Sequence, residues 1–191
     1  MTNKTIGMAI TGSFCTFNKL LPQLKKLAEN NTIIPIFSYS VDKTDTRFYK
    51  AEDFYNDIKA ITQREPIKTM VDAEPIGPKI DVDLIIIAPC TGNSLAKLNN
   101  GITDTPPLMA VKAHLRNNKP VLVAISTNDG LAANAKNIGE LINKKNIFFT
   151  PFAQDNYKTK KFSLMADFEM LIESADAALR GEQIQPVLKG V

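Results

Sequence analysis

The chain has 191 residues, of which 44% are hydrophobic and 23% charged, a composition typical of one globular domain with a sizeable core. The formal net charge of +3 is mild and the basic residues are scattered, which disfavours nucleic acid as a partner and is compatible with anionic small molecules. Two cysteines and one histidine predict neither a disulfide framework nor a metal site, and no apolar run reaches the roughly 20 residues of a membrane helix. We therefore expect one cytoplasmic domain over residues 1–191.

Strand and helix patterns alternate along the chain in the order β-α-β-α-β-α-α-β-α-β-α. The second strand contains Pro35, which favours an edge position because proline cannot donate a hydrogen bond to a sheet ladder. Residues 154–161 are polar and basic, and they predict a mobile loop. The predicted strands span residues 6–10, 33–37, 84–88, 121–125 and 146–149, and the predicted helices span residues 15–29, 48–61, 95–101, 105–116, 131–142 and 162–180.

The strands at residues 84–88 and 121–125 are continuous apolar runs, as is typical of parallel strands buried on both faces. Together with the alternation of strands and helices, they predict an α/β fold. We expect an open, doubly wound parallel sheet with helices on both faces.

Four predicted strands end in short turns rich in hydroxyl and amide side chains, at residues 11–13, 38–40, 91–94 and 126–128. In an open doubly wound sheet such turns lie along one edge, where ligands bind. Gly92 lets a ligand approach the backbone, and the helix after it offers unpaired N–H groups to an anion. This pattern favours a ligand that carries a phosphate group. The alternative is that the residues only form turns and cap helices.

Four other residues are predicted to have no chemical role. We expect His114 to be a solvated or capped surface histidine, Cys15 to be a buried, inert thiol, and Cys90 to pack in the core. Lys97 is predicted to be solvated, with a carboxylate partner as the alternative. The sequence shows no nucleophile–base pair, so no residue is predicted to be catalytic.

The central stretch Ala88-Pro-Cys-Thr-Gly-Asn-Ser-Leu-Ala-Lys97, followed by Asn100-Gly-Ile-Thr-Asp104, resembles the Ala-Pro-x-Thr-Ala-Asn-Thr-x-x-Lys…Gly-x-x-Asp signature of the flavoprotein family. That family contains the homo-oligomeric flavin-containing cysteine decarboxylases, the phosphopantothenoylcysteine decarboxylases and the flavin prenyltransferases. The turn at residues 11–13 fits its first phosphate-binding turn. Further stretches extend the resemblance over nearly the whole chain and narrow it to one branch of the family, whose enzymes contain two different chains. These stretches are residues 11–16, 44–48, 73–79, 115–118, 125–129 and 145–149.

The resemblance implies a Rossmann-like, flavodoxin-like topology and FMN as the cofactor. The FMN phosphate would meet Gly12, Ser13 and Ser40 (or Ser38). The ring and ribityl chain would lie near the residues of the two later turns, which are Thr91, Gly92, Asn93, Ser126, Thr127 and Asn128.

The branch that the chain resembles implies one component of an oxidoreductase that works during sporulation, in the cytoplasm of the mother cell. Its substrate would be a small dicarboxylate with a dihydropyridine-type ring, and a second, different chain would carry NAD(P)H. A homo-oligomer is expected from the family. Because such a substrate needs a cationic group, Arg47 and Lys79 are the candidates to bind its carboxylates. The alternative is that both are only surface charges.

Two departures from the family pattern bear on the alternatives. Pro78-Lys79-Ile80 stands where the decarboxylases have a His-Ile pair, and Ser126-Thr-Asn-Asp129 replaces their Pro-x-Met-Asn motif. Both speak against a flavin-dependent decarboxylase or prenyltransferase, which is the second hypothesis. The third is a non-catalytic component that binds a ligand or serves as a scaffold.

Overall fold

The structure, a computed structural model, describes residues 1–190. Its strands are β1 (Thr5–Ile10), β2 (Thr32–Phe37), β3 (Leu84–Cys90), β4 (Val121–Thr127), β5 (Ile147–Phe149), β6 (Phe152–Asn156) and β7 (Lys160–Ala166). Its helices are α1 (Phe17–Ala28), α2 (Tyr39–Lys43), α3 (Ala51–Thr62), α4 (Met70–Ala73), α5 (Gly92–Asn99), α6 (Pro106–Arg116), α7 (Ala135–Leu141) and α8 (Leu171–Leu179). Short 3₁₀ turns precede α1 and α8, at Phe14–Thr16 and Phe168–Met170.

The first five strands form a parallel sheet in the order β2-β1-β3-β4-β5. This is the order of flavodoxin-like doubly wound sheets, so the predicted fold class is confirmed. After β1 the chain crosses to β2 on one side of β1, and it later returns to form β3 on the other side of β1. The crevice outside the carboxyl ends of β1 and β3 is therefore the switch point at which such folds bind ligands. Pro35 lies in the edge strand β2, as predicted.

The prediction of a wholly parallel sheet was wrong at its far edge. β5 pairs only with Val121–Val123 of β4, which leaves the end of β4 free to pair with another strand. β7 occupies that position in antiparallel orientation, with Ser126 opposite Met165, and β6 pairs with β7 as a hairpin. The loop predicted at residues 154–161 is thus part of this hairpin, and the last helix begins at Leu171 rather than at residue 162.

Two helical layers cover the sheet. α1, α3 and α8 pack on one face, where the rings of Phe17 and Phe54 stack with their centroids 4.0 Å apart. α5, α6 and α7 pack on the other face. Every residue of β3 is buried, which accounts for its unbroken apolar sequence. Within residues 1–190, no helix combines the length and apolarity needed to span a membrane.

Candidate functional site

A cavity of about 430 Å³ lies at the carboxyl ends of β1, β3 and β4. Three of the four predicted turns contribute to it, so segments that are far apart in the chain meet in one place. We call it the strand-end cavity. It is lined by Gly12, Ser13, Phe14, Cys15, Thr16, Lys19, Phe48, Thr91, Gly92, Ser126, Thr127, Asn128, Asp155, Lys160, Ser163, Leu164 and Met165.

Hydrogen bonds connect the turns across the floor of this cavity. The hydroxyl oxygens of Ser13 and Ser126 lie 2.7 Å apart, which joins the turn after β1 to the end of β4. Thr11 Oγ1 donates to the carbonyl oxygen of Pro89 at 2.7 Å and accepts from the amide of Thr91 at 3.0 Å, which joins β1 to β3. The three turns therefore form one hydrogen-bonded unit.

The fourth predicted turn packs directly beside the cavity. Ser38 Oγ and Ser40 Oγ lie 3.1 Å apart, and neither residue lines the cavity. A Cβ atom on Gly12 would lie 2.7 Å from Ser40 Oγ, so a larger residue here would displace this hydroxyl. Ser38 and Ser40 thus support the turn at Gly12, and their predicted contact with a phosphate stays a prediction.

The turn after β3 combines both roles that the sequence left open. Thr91 Oγ1 accepts from the amide of Ser94 at 3.2 Å and so caps α5, as in the alternative interpretation. Thr91 and Gly92 also line the cavity at the helix N-terminus. Asn93 is exposed on the first turn of α5 and lies outside the cavity lining.

A partly buried chain of side-chain hydrogen bonds lies behind Gly92. Asp129 accepts from Thr127 Oγ1 and from Asn134 Nδ2, the latter at 2.9 Å. Asn134 Oδ1 accepts from Asn137 Nδ2 at 2.8 Å, and Asn137 Oδ1 accepts from Asn99 Nδ2 at 3.1 Å. We call this chain the amide network. It fixes the orientation of Thr127, which lines the cavity.

Sequence reasoning missed the amide network. Residues 131–142 were predicted to be one helix, whereas residues 128–134 form a turn and α7 begins at Ala135. The only available signal was the spacing of Asn134 and Asn137, which lie three positions apart beside the apolar positions Ile138 and Leu141.

The residues of the strand-end cavity fit the phosphate and polyol chain of a flavin nucleotide. The hydroxyls of Ser13 and Ser126 can each donate or accept, and the first amides of the helical segment from Phe14 have no intrahelical acceptor by geometry. Leu164, Met165 and the rings of Phe14 and Phe48 provide apolar walls. A volume of about 430 Å³ lies within the range of cofactor sites.

Metal chemistry is not indicated by the side chains of the described chain. Among residues 1–190, no cluster of three or more His, Cys, Asp and Glu side chains has the geometry to hold a metal ion.

The charged residues of the cavity are Lys19, Lys160 and Asp155, none of which the sequence singled out. Lys160 and Asp155 form an ion pair at 2.5 Å, and this hydrogen bond raises the pKa of Lys160. Their ion pair joins β6 to β7 at the cavity rim.

Arg47 and Lys79, the predicted carboxylate-binding residues, do not line the cavity. Arg47 is exposed, with its guanidinium carbon 4.8 Å from the centroid of the Phe48 ring at the rim. Lys79 lies in the connection into β3, next to Gly77, which packs against Asn117 at the end of α6. That position is at the amino ends of the strands, on the opposite edge of the sheet. The structure therefore does not bring the two residues together.

The two cysteines differ in their exposure to solvent. Cys15 is exposed at the cavity rim, so the prediction of a buried thiol was wrong. Cys90 is fully buried, as predicted, and desolvation raises the pKa of its thiol to about 12. The prediction that Lys97 is solvated was also wrong, because its ammonium pairs with Asp104 at 2.7 Å.

His114 is buried, and its prediction as a surface residue was wrong. Its Nε2 lies 2.9 Å from the carbonyl oxygen of Pro120, just before β4 begins. Burial lowers the pKa of the imidazole to about 4. The side chain is at the amino edge of the sheet, away from the strand-end cavity.

Comparison with known proteins adds three findings. A sequence model of the family described as Flavoprotein matches residues 1–179. The B subunit of dipicolinate synthase from Bacillus subtilis (strain 168) is 43% identical over 189 residues, which cover 98% of this chain and 94% of that protein. The crystal structure of the B subunit of dipicolinate synthase from Bacillus halodurans superposes with a TM-score of 0.91 at 48% identity, covering 99% of this chain and 97% of that chain.

More distant structures share the fold. The FMN-dependent cysteine decarboxylase SpaF superposes with a TM-score of 0.64 at 18% identity, over 95% of this chain and 97% of that chain. At this identity the likeness concerns the architecture alone.

Proposed function

The chain belongs to the flavoprotein family, and we propose that it acts as the B subunit of a dipicolinate synthase, which helps to oxidise a dihydrodipicolinate-type precursor to dipicolinate. Two relatives that carry this name are 43% and 48% identical and match the chain over nearly its full length. The proposal includes FMN as cofactor and the A subunit of the synthase as partner.

The observation that carries the proposal is the convergence of three strand-end turns in one cavity. The bond between Ser13 and Ser126 and the two bonds of Thr11 hold these turns in fixed positions. A rigid, hydroxyl-rich cavity at the switch point of a doubly wound sheet is suited to a phosphate-bearing cofactor.

The proposed contacts of FMN follow from the position of each residue. Ser13 and the amides after it would hold the phosphate at the start of the helical segment that leads into α1. Ser126, Thr127 and Asn128 would bind the polar atoms of the ring and ribityl chain. When bound, FMN supplies a ring that accepts a hydride or two electrons. The protein's own contribution is to bind, orient and exclude water.

The proposed reaction removes one hydride and one proton from the dihydropyridine ring of the precursor. The partner is proposed to carry NAD(P)⁺ as the final acceptor of that hydride, so that NAD(P)H is formed there and bound FMN would undergo no net change. The absence of a recognised acid–base pair in the sequence is compatible with this division, because redox chemistry belongs to the cofactors. A homo-oligomer of this chain remains part of the proposal by analogy with the family.

Reconstitution from the two purified proteins tests the proposal. The partner by itself, this chain by itself and both together are supplied with precursor and NAD(P)⁺, and dipicolinate is measured by its ultraviolet absorbance. We expect formation of dipicolinate to require both proteins, and to fall when this chain carries Ser126→Leu, which fills the cavity floor.

Two outcomes would contradict the proposal. Equal activity of the partner with and without this chain would favour the scaffold hypothesis. Release of carbon dioxide by this chain without the partner would favour the decarboxylase hypothesis. No specific feature of the described structure supports that hypothesis.

A further inference from the structure

A second, larger cavity adjoins the strand-end cavity. It has a volume of about 700 Å³ and lies between α1 and the β6–β7 hairpin. We call it the α1–hairpin groove. The two cavities have Lys19, Asp155 and Met165 in common, so they meet at these three residues. A molecule in the groove at this junction would lie next to a cofactor in the strand-end cavity.

Lys19 projects into the junction from the first turn of α1. Its ammonium nitrogen lies 3.5 Å from Met165 Sδ, and Met165 is paired across the sheet with Ser126 on the cavity floor. Among residues 1–190, no carboxylate oxygen lies within 4.0 Å of this ammonium. The positive charge of Lys19 is therefore available to a ligand.

The other charges near the junction are largely paired. Lys160 is held by Asp155 at the rim, and Lys189 pairs with Asp167 at the far side of the groove. Glu169 and Lys26 also line the groove, but they do not line the strand-end cavity. Lys19 is thus the cation best placed to attract an anion to the point where the cavities meet.

We infer that Lys19 is the carboxylate-binding residue for the dicarboxylate substrate, which occupies the α1–hairpin groove at its junction with the strand-end cavity. This inference rests on the proposed function for the identity of the substrate. The ammonium of Lys19 forms a charge-assisted hydrogen bond with one carboxylate, which sets the ring of the substrate toward the strand-end cavity. Lys19 takes the role that the sequence assigned to Arg47 and Lys79.

The chain provides its own reporter for this inference. Cys15 is exposed at the rim one helical turn before Lys19, whereas Cys90 is buried, so a thiol reagent reacts selectively with Cys15. The rate of Cys15 modification by N-ethylmaleimide, which is uncharged, is measured against the concentration of dipicolinate. Cys15→Ser serves as the blank, and the series is run with and without FMN.

We expect dipicolinate to protect Cys15 in the wild-type chain. Lys19→Gln should raise the concentration needed for protection by about tenfold, the effect of losing one charge-assisted hydrogen bond. Lys25→Gln is the matched control, because Lys25 is an exposed lysine of the same helix that lines neither cavity, and protection should be unchanged. Pyridine-2-carboxylate keeps the one carboxylate that Lys19 is inferred to bind, so Lys19→Gln should raise the concentration needed for its protection by a similar factor.

Failure of this inference is distinguishable from failure of the proposed function. If dipicolinate protects Cys15 equally in the wild type and in Lys19→Gln, or does not protect it at all, the assignment of Lys19 is overturned. Quenching of flavin fluorescence reports FMN binding separately, so any change in FMN affinity in Lys19→Gln is measured apart from the protection by dipicolinate, which is also recorded without FMN. Protection that depends on Lys19 without any FMN binding would leave the inference standing and remove the flavin from the proposed function.

Discussion

His114 is the only histidine of the chain, and its ring is inaccessible to solvent. Nε2–H donates to the carbonyl of Pro120, while no polar group among residues 1–190 lies within hydrogen-bonding distance of Nδ1. Protonation of Nδ1 would therefore place a cation in the protein interior without an acceptor. This accounts for a pKa lowered by burial from 6.5 to about 4.

The free energy of unfolding should consequently decrease as the pH is lowered below about 6.5. Between the folded pKa of about 4 and the ordinary value of 6.5, the unfolded chain binds the proton and the folded chain does not, so acid favours unfolding. The contribution of His114 to the free energy of unfolding is fully present above pH 6.5. About 2 kcal/mol of it is lost when the pH is lowered from 7 to 5. Urea unfolding at both pH values, for the wild type and for His114→Gln, measures it. An equal loss in both proteins would show that His114 does not titrate as described.

Gly92 packs closely against the amide network. A Cβ atom here would lie 2.5 Å from Asn134 Nδ2 and from Thr127 Oγ1, and 2.6 Å from Asp129 Oδ1. Gly92→Ala should therefore lower the free energy of unfolding by roughly 1–3 kcal/mol, the range for overpacking, and should weaken FMN binding as Thr127 moves.

Gly139 provides the matched control for this substitution. It lies in α7, and no heavy atom lies within 4 Å of its ideal Cβ position. Gly139→Ala should raise the free energy of unfolding by roughly 0.5–1 kcal/mol, because alanine is the better helix former. Chemical denaturation of both variants checks the pair, and similar effects at both glycines would argue against the close packing of Gly92.

At the residue scale, the sequence predicted positions on the backbone better than the environments of side chains. Of the ten predicted cofactor-binding residues, Gly12, Ser13, Thr91, Gly92, Ser126, Thr127 and Asn128 line one cavity. Their turns follow strand ends, a position that local pattern specifies. Burial of His114 and exposure of Cys15 depend on which helix covers which strand, and the sequence pattern around each residue carries no such information.

At the scale of elements, the amide network joins α5, α7 and the turn after β4. Asn137 lies at its centre, because it donates to Asn134 and accepts from Asn99. Both Asn134 and Asn137 are buried, so each bond replaces contact with water. The network bonds the C-terminal residue of α5 to α7 through Asn99, and Gly92 at the N-terminal end of α5 packs against it.

Asn137→Ala should lower the free energy of unfolding by about 1–3 kcal/mol, since Asn134 Oδ1 would be left buried without a donor. Asn143→Ala is the control, because Asn143 is exposed and its side chain only bonds to the carbonyl of Gly139 at 2.7 Å. Its effect should remain within about 0.5 kcal/mol. Urea denaturation of the two variants makes the comparison, and equal effects would be incompatible with a stabilising network.

The hairpin is the element that the sequence failed to predict. Residues such as Lys160 and Lys161 are polar and exposed because β6 and β7 extend the sheet beyond its helical layers. The alternation of buried and more exposed residues that is typical of a strand appears only in the last part of β7, where Leu164 and Ala166 are buried. The partner of β7 is the free end of β4, and a long-range pairing of this kind leaves little local signal. The hairpin supplies Asp155 and Lys160, which explains why these cavity residues were also missed.

At the scale of the whole molecule, the parallel sheet was predictable because its strands are buried on both faces. β3 and the first five residues of β4 carry unbroken apolar sequences, and the alternation with helices restricts the topology to a doubly wound order. The same topology brings the ends of β1, β3 and β4 to one edge. We propose that the cavity at this edge binds FMN.

Titration of the purified chain with FMN, followed by flavin absorption and fluorescence, tests that claim most directly. We expect saturable binding with one FMN per chain. Ser13→Trp should weaken it by roughly tenfold or more, equivalent to about 1.4 kcal/mol, while the exposed control Asn30→Trp should bind as the wild type does. A colourless protein with no affinity for FMN, with or without the partner protein present, would contradict the account.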